Sequence, residues 1–115
     1  MQAESAHLKY AIQFVDDMER AVAFYQDVLG LPLKLQSPYW SEFATGPTGL
    51  ALHQSSPANP AGKVQLGFSV PDLAAFHERL STAGVVFTQA PTRQEGSLLA
   101  RFLDPQGCEI SVSEA

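Results

Sequence analysis

The chain passes from a predicted strand to a predicted helix within the stretch Val15-Asp16-Asp17-Met18-Glu19-Arg20-Ala21-Val22-Ala23-Phe24-Tyr25. The residues before it, 8–15, have the composition of a strand. Its two aspartates are N-cap candidates, because their carboxylates can accept the unpaired N–H groups of a first helical turn. Apolar residues then recur at helical spacing as far as Leu29, and Gly30 ends the helix. The stretch therefore predicts a strand–helix unit.

Short strands are predicted after this unit, at 33–37, 39–45 and 50–54. The Gly-Pro-Thr-Gly sequence at 46–49 is a turn between the last two. Residues 55–62 consist of Ser, Pro, Ala, Asn and Gly, a composition that predicts a linker. The first module is thus a βαβββ unit that spans about 7–54.

The same plan repeats after the linker. A helix is predicted from Asp72 to Ala83, and Gly84 ends it. The predicted strands of this second module lie at 63–70, 85–89, 97–103 and 108–113. The module therefore spans about 63–114 and has the same βαβββ order.

Two matches between the halves support an internal repeat. Val15-x-Asp17 recurs as Val70-x-Asp72, and the turn at 46–49 recurs as Asp-Pro-Gln-Gly at 104–107. A module of this size cannot easily bury one face of its sheet alone, so two copies are expected to pair. The prediction is one α+β domain, 1–115, in which two βαβββ modules form a curved mixed-sheet cleft with helices on the outer face.

Composition excludes several classes of function. The seven basic residues are scattered among twelve acidic ones, and the net charge of −5 predicts no nucleic-acid binding. No apolar run approaches the ~20 residues that cross a bilayer, so no membrane association is expected. The N-terminal segment 1–7 shows no export signal, and the single cysteine, Cys108, cannot form an internal disulfide. A cytoplasmic location is predicted.

Strand alternation assigns side chains to faces of the predicted sheet. In the second module, the apolar row from Val64 to Val70, which includes Leu66 and Phe68, is predicted to pack beneath the helix. The repeat then places the following residues on the open face: Tyr10, Ile12, Phe14, Phe43, His53, Gln65, Arg101, Glu109 and Ser111. This mixture of aromatic and polar groups is typical of a small-molecule cleft. The register of the first strand stays open because Gln13 falls on the core row. The direction in which Trp40 faces also stays open, because its strand is short.

Each candidate residue has more than one interpretation. Arg101 could bind a ligand carboxylate or form a cross-strand ion pair with Glu109. The aromatic residues of the first module, with Phe43 among them, could stack on a planar ligand or fill the trough as core. His53 is interpreted as a neutral polar residue of the cleft, with a remnant metal ligand or a general base as alternatives.

The sequence resembles the vicinal oxygen chelate superfamily, which includes glyoxalase I, fosfomycin and bleomycin resistance proteins and extradiol dioxygenases. The matching pieces are the stretch 15–25, Val28-Leu29-Gly30-Leu31, and Phe102-Leu103-Asp104-Pro105-Gln106-Gly107. The resemblance extends over both modules. It implies eight strands that curve into a cleft, usually completed by a homodimer, and in the enzymes a divalent metal held by up to four strand positions.

The positions that match this ligand pattern carry Tyr10, His53, Gln65 and Ser111, where the enzymes typically use His or Glu. Of these, only His53 is a good metal ligand, so no metal or other cofactor is predicted. The predicted function is binding of an aromatic or hydrophobic organic molecule without metal, with antibiotic sequestration as one form of it. The alternatives are a lyase, isomerase or dioxygenase that acts through His53, Arg101 or Glu109, and a domain kept for oligomerisation or regulation.

Overall fold

The computed structural model describes residues 5–94 and 96–115. The elements of the first module, in chain order, are β1 (His7–Val15), α1 (Met18–Ala23), a π-helical turn (Phe24–Val28), β2 (Leu33–Leu35), β3 (Trp40–Phe43) and β4 (Gly49–Gln54). Those of the second module are β5 (Val64–Val70), α2 (Leu73–Thr82), β6 (Phe87–Gln94), β7 (Ser97–Leu103) and β8 (Glu109–Glu114). The α+β class and the two βαβββ modules are therefore confirmed. The described residues divide into two compact units, one of residues 9–64 and one of residues 5–8, 65–94 and 96–115.

The strands of the first module lie in the order β2-β3-β4-β1. β1 runs parallel to β4, and the other pairs are antiparallel. One face of this sheet packs against α1 through an apolar cluster of Met18, Val22, Phe43 and Leu52. Burial of these side chains, rather than the propensity of a six-residue helix, stabilises α1.

The start of α1 follows the predicted capping pattern. The Asp17 carboxylate accepts a hydrogen bond from the Arg20 backbone N–H at 3.1 Å. One turn later, the Tyr25 hydroxyl donates to Oε1 of Gln13 at 2.6 Å. This bond places the Gln13 side chain on the helix side of β1 and gives it a partner there. Because side chains alternate along a strand, Tyr10 lies on the opposite face, which answers the question that the sequence left open.

The second module has the strand order β5-β8-β7-β6, with β5 parallel to β8. Its core lies between α2 and one face of these strands, and it consists of Val70, Leu73, Phe76, Ala100 and Val112. Asp72 caps α2 by accepting from the Ala75 N–H, and Glu114 on β8 accepts from the Leu73 N–H at 3.0 Å. The helix is therefore tied to its sheet at its first residue.

The prediction that the whole apolar row of β5 lies beneath the helix is wrong. Phe68 and Val70 contact the helix cluster, but Val64 and Leu66 are exposed, Leu66 to 42%. The physical reason is length, because a ten-residue helix spans only about 15 Å. α2 therefore covers the C-terminal end of β5, from which the chain enters the helix, and leaves the start of the strand uncovered.

The second strand of the second module is longer than the predicted 85–89. β6 spans Phe87–Gln94 and contains Pro91. Its pairing with β7 shifts register between Gln89 and Thr92, on either side of the proline. β6 is an edge strand, a position that tolerates proline because only one side of the strand is paired.

Phe43 faces the helix, and its predicted place on the open face is wrong. Six residues lie between Phe43 and its cross-strand partner Leu50, whereas five lie between Leu103 and its partner Glu109. A difference of one residue in a hairpin connection inverts the facing of the strand before it. The repeat was therefore misleading at β3, and Trp40, opposite His53, is the counterpart of Arg101.

No helix of the described residues 5–94 and 96–115 is long and apolar enough to cross a membrane. Residues 1–4 of the N-terminal segment 1–7, in which no export signal is predicted, lie outside the described residues.

Candidate functional site

The face of the first module opposite α1 carries an aromatic cluster of Tyr10, Phe14, Trp40 and His53. Alternation along β1 brings Tyr10 and Phe14 to this face, and alternation along β3 brings Trp40. The Trp40 ring lies 5.3 Å from that of Tyr10 and 5.9 Å from that of His53, both edge-to-face. Phe14 is 3% exposed and packs against His53 at 5.0 Å. The cluster therefore has a buried floor and three partly exposed rings.

Glu42 joins this cluster from β3, two residues after Trp40. The Trp40 indole N–H donates to Oε2 of Glu42 at 2.7 Å. The Lys34 ammonium lies 3.8 Å from the other oxygen, Oε1, and the Glu42 side chain is only 13% exposed. A half-buried carboxylate is thus held among aromatic rings. Sequence reasoning missed it because the internal repeat placed Phe43 on the open face, and strand alternation then puts Glu42 on the opposite face.

The Tyr10 hydroxyl is shifted toward its neutral form. Burial, the negative charge of Glu42 and a hydrogen bond to that carboxylate raise the pKa of Tyr10 from 10.0 to about 12. Burial lowers the solvation of the phenolate, the charge of Glu42 repels it, and the hydroxyl can donate to the carboxylate only while it keeps its proton. At neutral pH Tyr10 is therefore a neutral hydrogen-bond donor and not an anionic ligand.

We expect Glu42→Gln to lower the pKa of Tyr10 from about 12 toward 10.0, because the charge and the charge-assisted hydrogen bond are lost. Part of the shift stays, since burial is its largest cause. Phenolate absorbance in an alkaline titration measures it, and subtraction of the Tyr10→Phe titration assigns the signal. An unchanged Tyr10 transition in Glu42→Gln would contradict the contact.

His53 has a defined tautomer in its neutral form. Its Nδ1 lies 2.8 Å from the backbone carbonyl of Gln54. A carbonyl oxygen only accepts, so Nδ1 carries the proton and Nε2 is left as an acceptor. The ring can therefore accept a hydrogen bond from a ligand donor, or a proton from a substrate.

The helix-free face of the second module carries the polar candidates. Gln65 donates to Oε1 of Glu109 at 3.3 Å, and the Thr88 hydroxyl donates to Oε2 at 2.7 Å. Ser111 lies on the same strand as Glu109, two residues further along β8. Gln65 and Glu109 are thus brought together, and both oxygens of the carboxylate have partners.

Arg101 does not form the ion pair with Glu109 that one interpretation predicted. Its guanidinium donates to Oε1 of Gln89 on the neighbouring strand β6. Across the β7–β8 hairpin, Arg101 faces Ser111, while Glu109 faces Leu103. The two charged groups are thus two positions apart in the ladder, because the connection between β7 and β8 has five residues rather than the four of the predicted turn 104–107.

The predicted metal positions are poorly suited to a divalent ion. Tyr10 is held as a neutral phenol, and the Gln65 amide donates to a carboxylate. Ser111 offers a neutral hydroxyl, and His53 alone supplies a strong donor. Within the described part of the chain, no three His, Cys, Asp or Glu side chains are grouped so that they could hold a metal ion.

An open pocket of about 540 Å³ lies at the start of α1. Its lining residues are Asp16, Asp17, Met18, Glu19, Gln36, Ser37, Pro38 and Gln54. None of the predicted site residues lines it, and Asp17 is engaged as the helix cap. The aromatic cluster, rather than this pocket, contains Tyr10, Phe14 and His53 of the site residues predicted in the first module.

Comparison with known proteins agrees with the fold and the sequence resemblance. The model of the Glyoxalase/Bleomycin resistance protein/Dioxygenase superfamily matches residues 7–112. No curated protein sequence matches the chain.

Three solved structures illustrate the structural similarity. Methylmalonyl-CoA epimerase from Mycobacterium tuberculosis is 21% identical with a TM-score of 0.77, and the match covers 94% of this chain and 87% of the epimerase. A superfamily member from Vibrio splendidus is 16% identical with a TM-score of 0.70, and 97% and 99% of the two chains are covered. The 2,3-dioxygenase LapB from a Pseudomonas species is 15% identical with a TM-score of 0.70, over 94% of this chain and 42% of the dioxygenase. At these identities the similarity shows the fold alone.

Proposed function

Because the chain belongs to the Glyoxalase/Bleomycin resistance protein/Dioxygenase superfamily, we propose that it binds an aromatic or hydrophobic organic molecule, without a bound divalent metal, on the aromatic cluster of the first module. The observation that carries this proposal is the set of partly exposed rings of Tyr10, Trp40 and His53 on a sheet face that no helix of the module covers. Stacking on such rings contributes to affinity beyond the area buried. Antibiotic sequestration is one function of this kind.

The roles of the residues follow from their burial. Trp40 and Tyr10 offer ring surface to the ligand, and the acceptor Nε2 of His53 orients a donor group on it. Phe14 supports His53 from below. We also propose the polar residues of the second module as ligand contacts, namely Gln65, Arg101, Glu109 and Ser111.

Trp40 is the only tryptophan, so its fluorescence reports on the cluster directly. We expect quinoline, a flat and uncharged probe at neutral pH, to quench this fluorescence saturably. Tyr10→Ala should weaken binding about tenfold, because one stacking wall is lost. Tyr39→Ala is the matched control, since Tyr39 is exposed and has no ring contact with the cluster. Equal affinities of the wild type and both variants would count against the proposal.

We expect the untagged protein to hold no stoichiometric divalent metal after extensive dialysis. The reason is the donor set, in which a neutral phenol, an amide and a hydroxyl accompany one imidazole. Elemental analysis measures the metal content per chain. One equivalent of zinc, nickel, manganese or iron that disappears in His53→Ala would refute the metal-free proposal.

One observation favours a second candidate function, an enzyme of the same superfamily. The Nε2 atom of His53 is placed to accept a proton, which a lyase or isomerase requires of a general base. Arg101 or Glu109 would take part in the same chemistry. Turnover that is lost in His53→Gln while ligand binding is retained would favour this alternative. The homodimer and the cytoplasmic location stay predictions.

A further inference from the structure

We propose that the aromatic cluster and Glu42 select an organic cation, so that the ligand is an aromatic or hydrophobic molecule with an ammonium, pyridinium or similar positive charge. This inference rests on the proposed binding function and narrows its ligand class. It depends on three features of the first module: the hydrogen bonding of the Glu42 carboxylate, the rings beside it, and the positions of two lysines.

The two oxygens of Glu42 differ in their surroundings. Oε2 is fixed by the indole N–H of Trp40 at 2.7 Å. Oε1 faces the ammonium of Lys34 at 3.8 Å, a distance too long for a strong hydrogen bond. The Tyr10 hydroxyl also donates to this carboxylate. The carboxylate is thus oriented by two neutral donors, and no close ion pair neutralises its charge, so that a better-placed cation can pair with it.

The rings beside Glu42 favour positive charge as well. Tyr10 and Trp40 meet edge-to-face, and both side chains are hydrogen-bonded to the Glu42 carboxylate. A cation over the face of tryptophan or tyrosine is attracted by the ring quadrupole, and more strongly where water is partly excluded. Since the Glu42 side chain is only 13% exposed, its charge is less screened than that of a surface carboxylate.

The chain already places two of its own cations at these groups. The Lys34 ammonium approaches Glu42, and the Lys9 ammonium lies 5.4 Å from the centre of the Tyr10 ring. Both lysines are exposed, and an ion pair or cation–π contact from an exposed lysine contributes little to stability. A ligand cation can therefore displace them at small cost. The neutral state of Tyr10 leaves Glu42 as the negative charge of the cluster.

The test compares quinoline with N-methylquinolinium, which has the same ring system and a permanent positive charge. We expect the wild type to bind the cation on the order of tenfold more tightly. Glu42→Gln keeps the size of the side chain and an acceptor for Trp40 but removes the charge. It should abolish the preference, so that the two probes bind this variant with affinities within about twofold of each other. Lys34→Met removes a competing ammonium and should strengthen binding of the cation severalfold.

The outcomes separate this inference from the proposed function. If neither probe binds, both fail. If quinoline and N-methylquinolinium bind the wild type equally, the cation preference is refuted and the binding function stands. A preference that persists in Glu42→Gln refutes the role of the carboxylate. If Glu42→Gln does not fold, the comparison of the two probes in the wild type and in Lys34→Met tests the inference instead, because Lys34 is exposed and its replacement should not prevent folding. A weaker affinity for the cation in Lys34→Met would overturn the inference.

Discussion

Replacement of Phe43 with alanine should lower the free energy of unfolding by about 3–5 kcal/mol and leave quinoline affinity unchanged in the folded protein. Phe43 is 1% exposed and lies in the apolar cluster beneath α1, with its ring 5.9 Å from that of Tyr25. Removing the ring leaves a cavity between helix and sheet. The cavity lies on the opposite side of β3 from Trp40 and Glu42, so the ligand face keeps its side chains.

Urea denaturation followed by circular dichroism measures the stability, and fluorescence titration below the transition measures the affinity. Tyr10→Ala is the matched comparison on the other face of the sheet. It should show the reverse pattern, with a clear loss of affinity and a smaller loss of stability. Phe43→Leu keeps most of the volume and serves if the alanine variant does not fold. A Phe43 variant of normal stability and weakened binding would contradict the facing of β3.

The order of elements could be predicted from sequence because its signals are local. Asp17 and Asp72 each cap the helix that follows, as their positions after apolar strands indicated. Glycine ended the first helix as well, since Gly30 has a φ of +80°, which other residues rarely adopt. A cap or a stop depends on a few neighbouring residues, so the sequence contains all the information that is needed.

The facing of β3 could not be predicted in the same way. A four-residue strand has too few apolar positions to define its own face, and the internal repeat supplied the assignment instead. One extra residue in the β3–β4 connection reversed that assignment for Phe43 and concealed the positions of Trp40 and Glu42. The facing of Tyr10 on β1 and of His53 on β4 was therefore predicted correctly, and the facing of Phe43 on β3 was not.

The hydrogen-bond partners of Arg101 and Glu109 could not be predicted from the sequence either. Arg101 and Glu109 looked like a cross-strand pair, but their contacts are with Gln89 and with Gln65 and Thr88. Each contact joins residues that lie 12 or more positions apart in the chain. Such pairings depend on the register of three strands at once, and a shift of two positions in any of them substitutes another neighbour.

The second large effect that we expect is a difference in stability between substitutions inside and outside the core beneath α2. Leu73→Ala should lower the free energy of unfolding by about 2–5 kcal/mol, whereas Leu66→Ala should lower it by less than about 1 kcal/mol. Both variants remove the same atoms within the second module, so the chemistry of the change is held constant. The difference between them reports burial, because Leu73 is 0% exposed at the first turn of α2 and Leu66 lies on the uncovered start of β5.

Urea denaturation of the two variants under identical conditions measures this difference. Leu73 also fixes its helix to β8, since its N–H is bonded by Glu114. The alanine variant keeps this backbone donor, so the loss arises from the side chain alone. Equal destabilisation by both substitutions would mean that the apolar row of β5 is covered along its whole length, as the alternation of its sequence had predicted. A large effect confined to Leu73 would establish that helix length, and not strand pattern, sets the limit of this core.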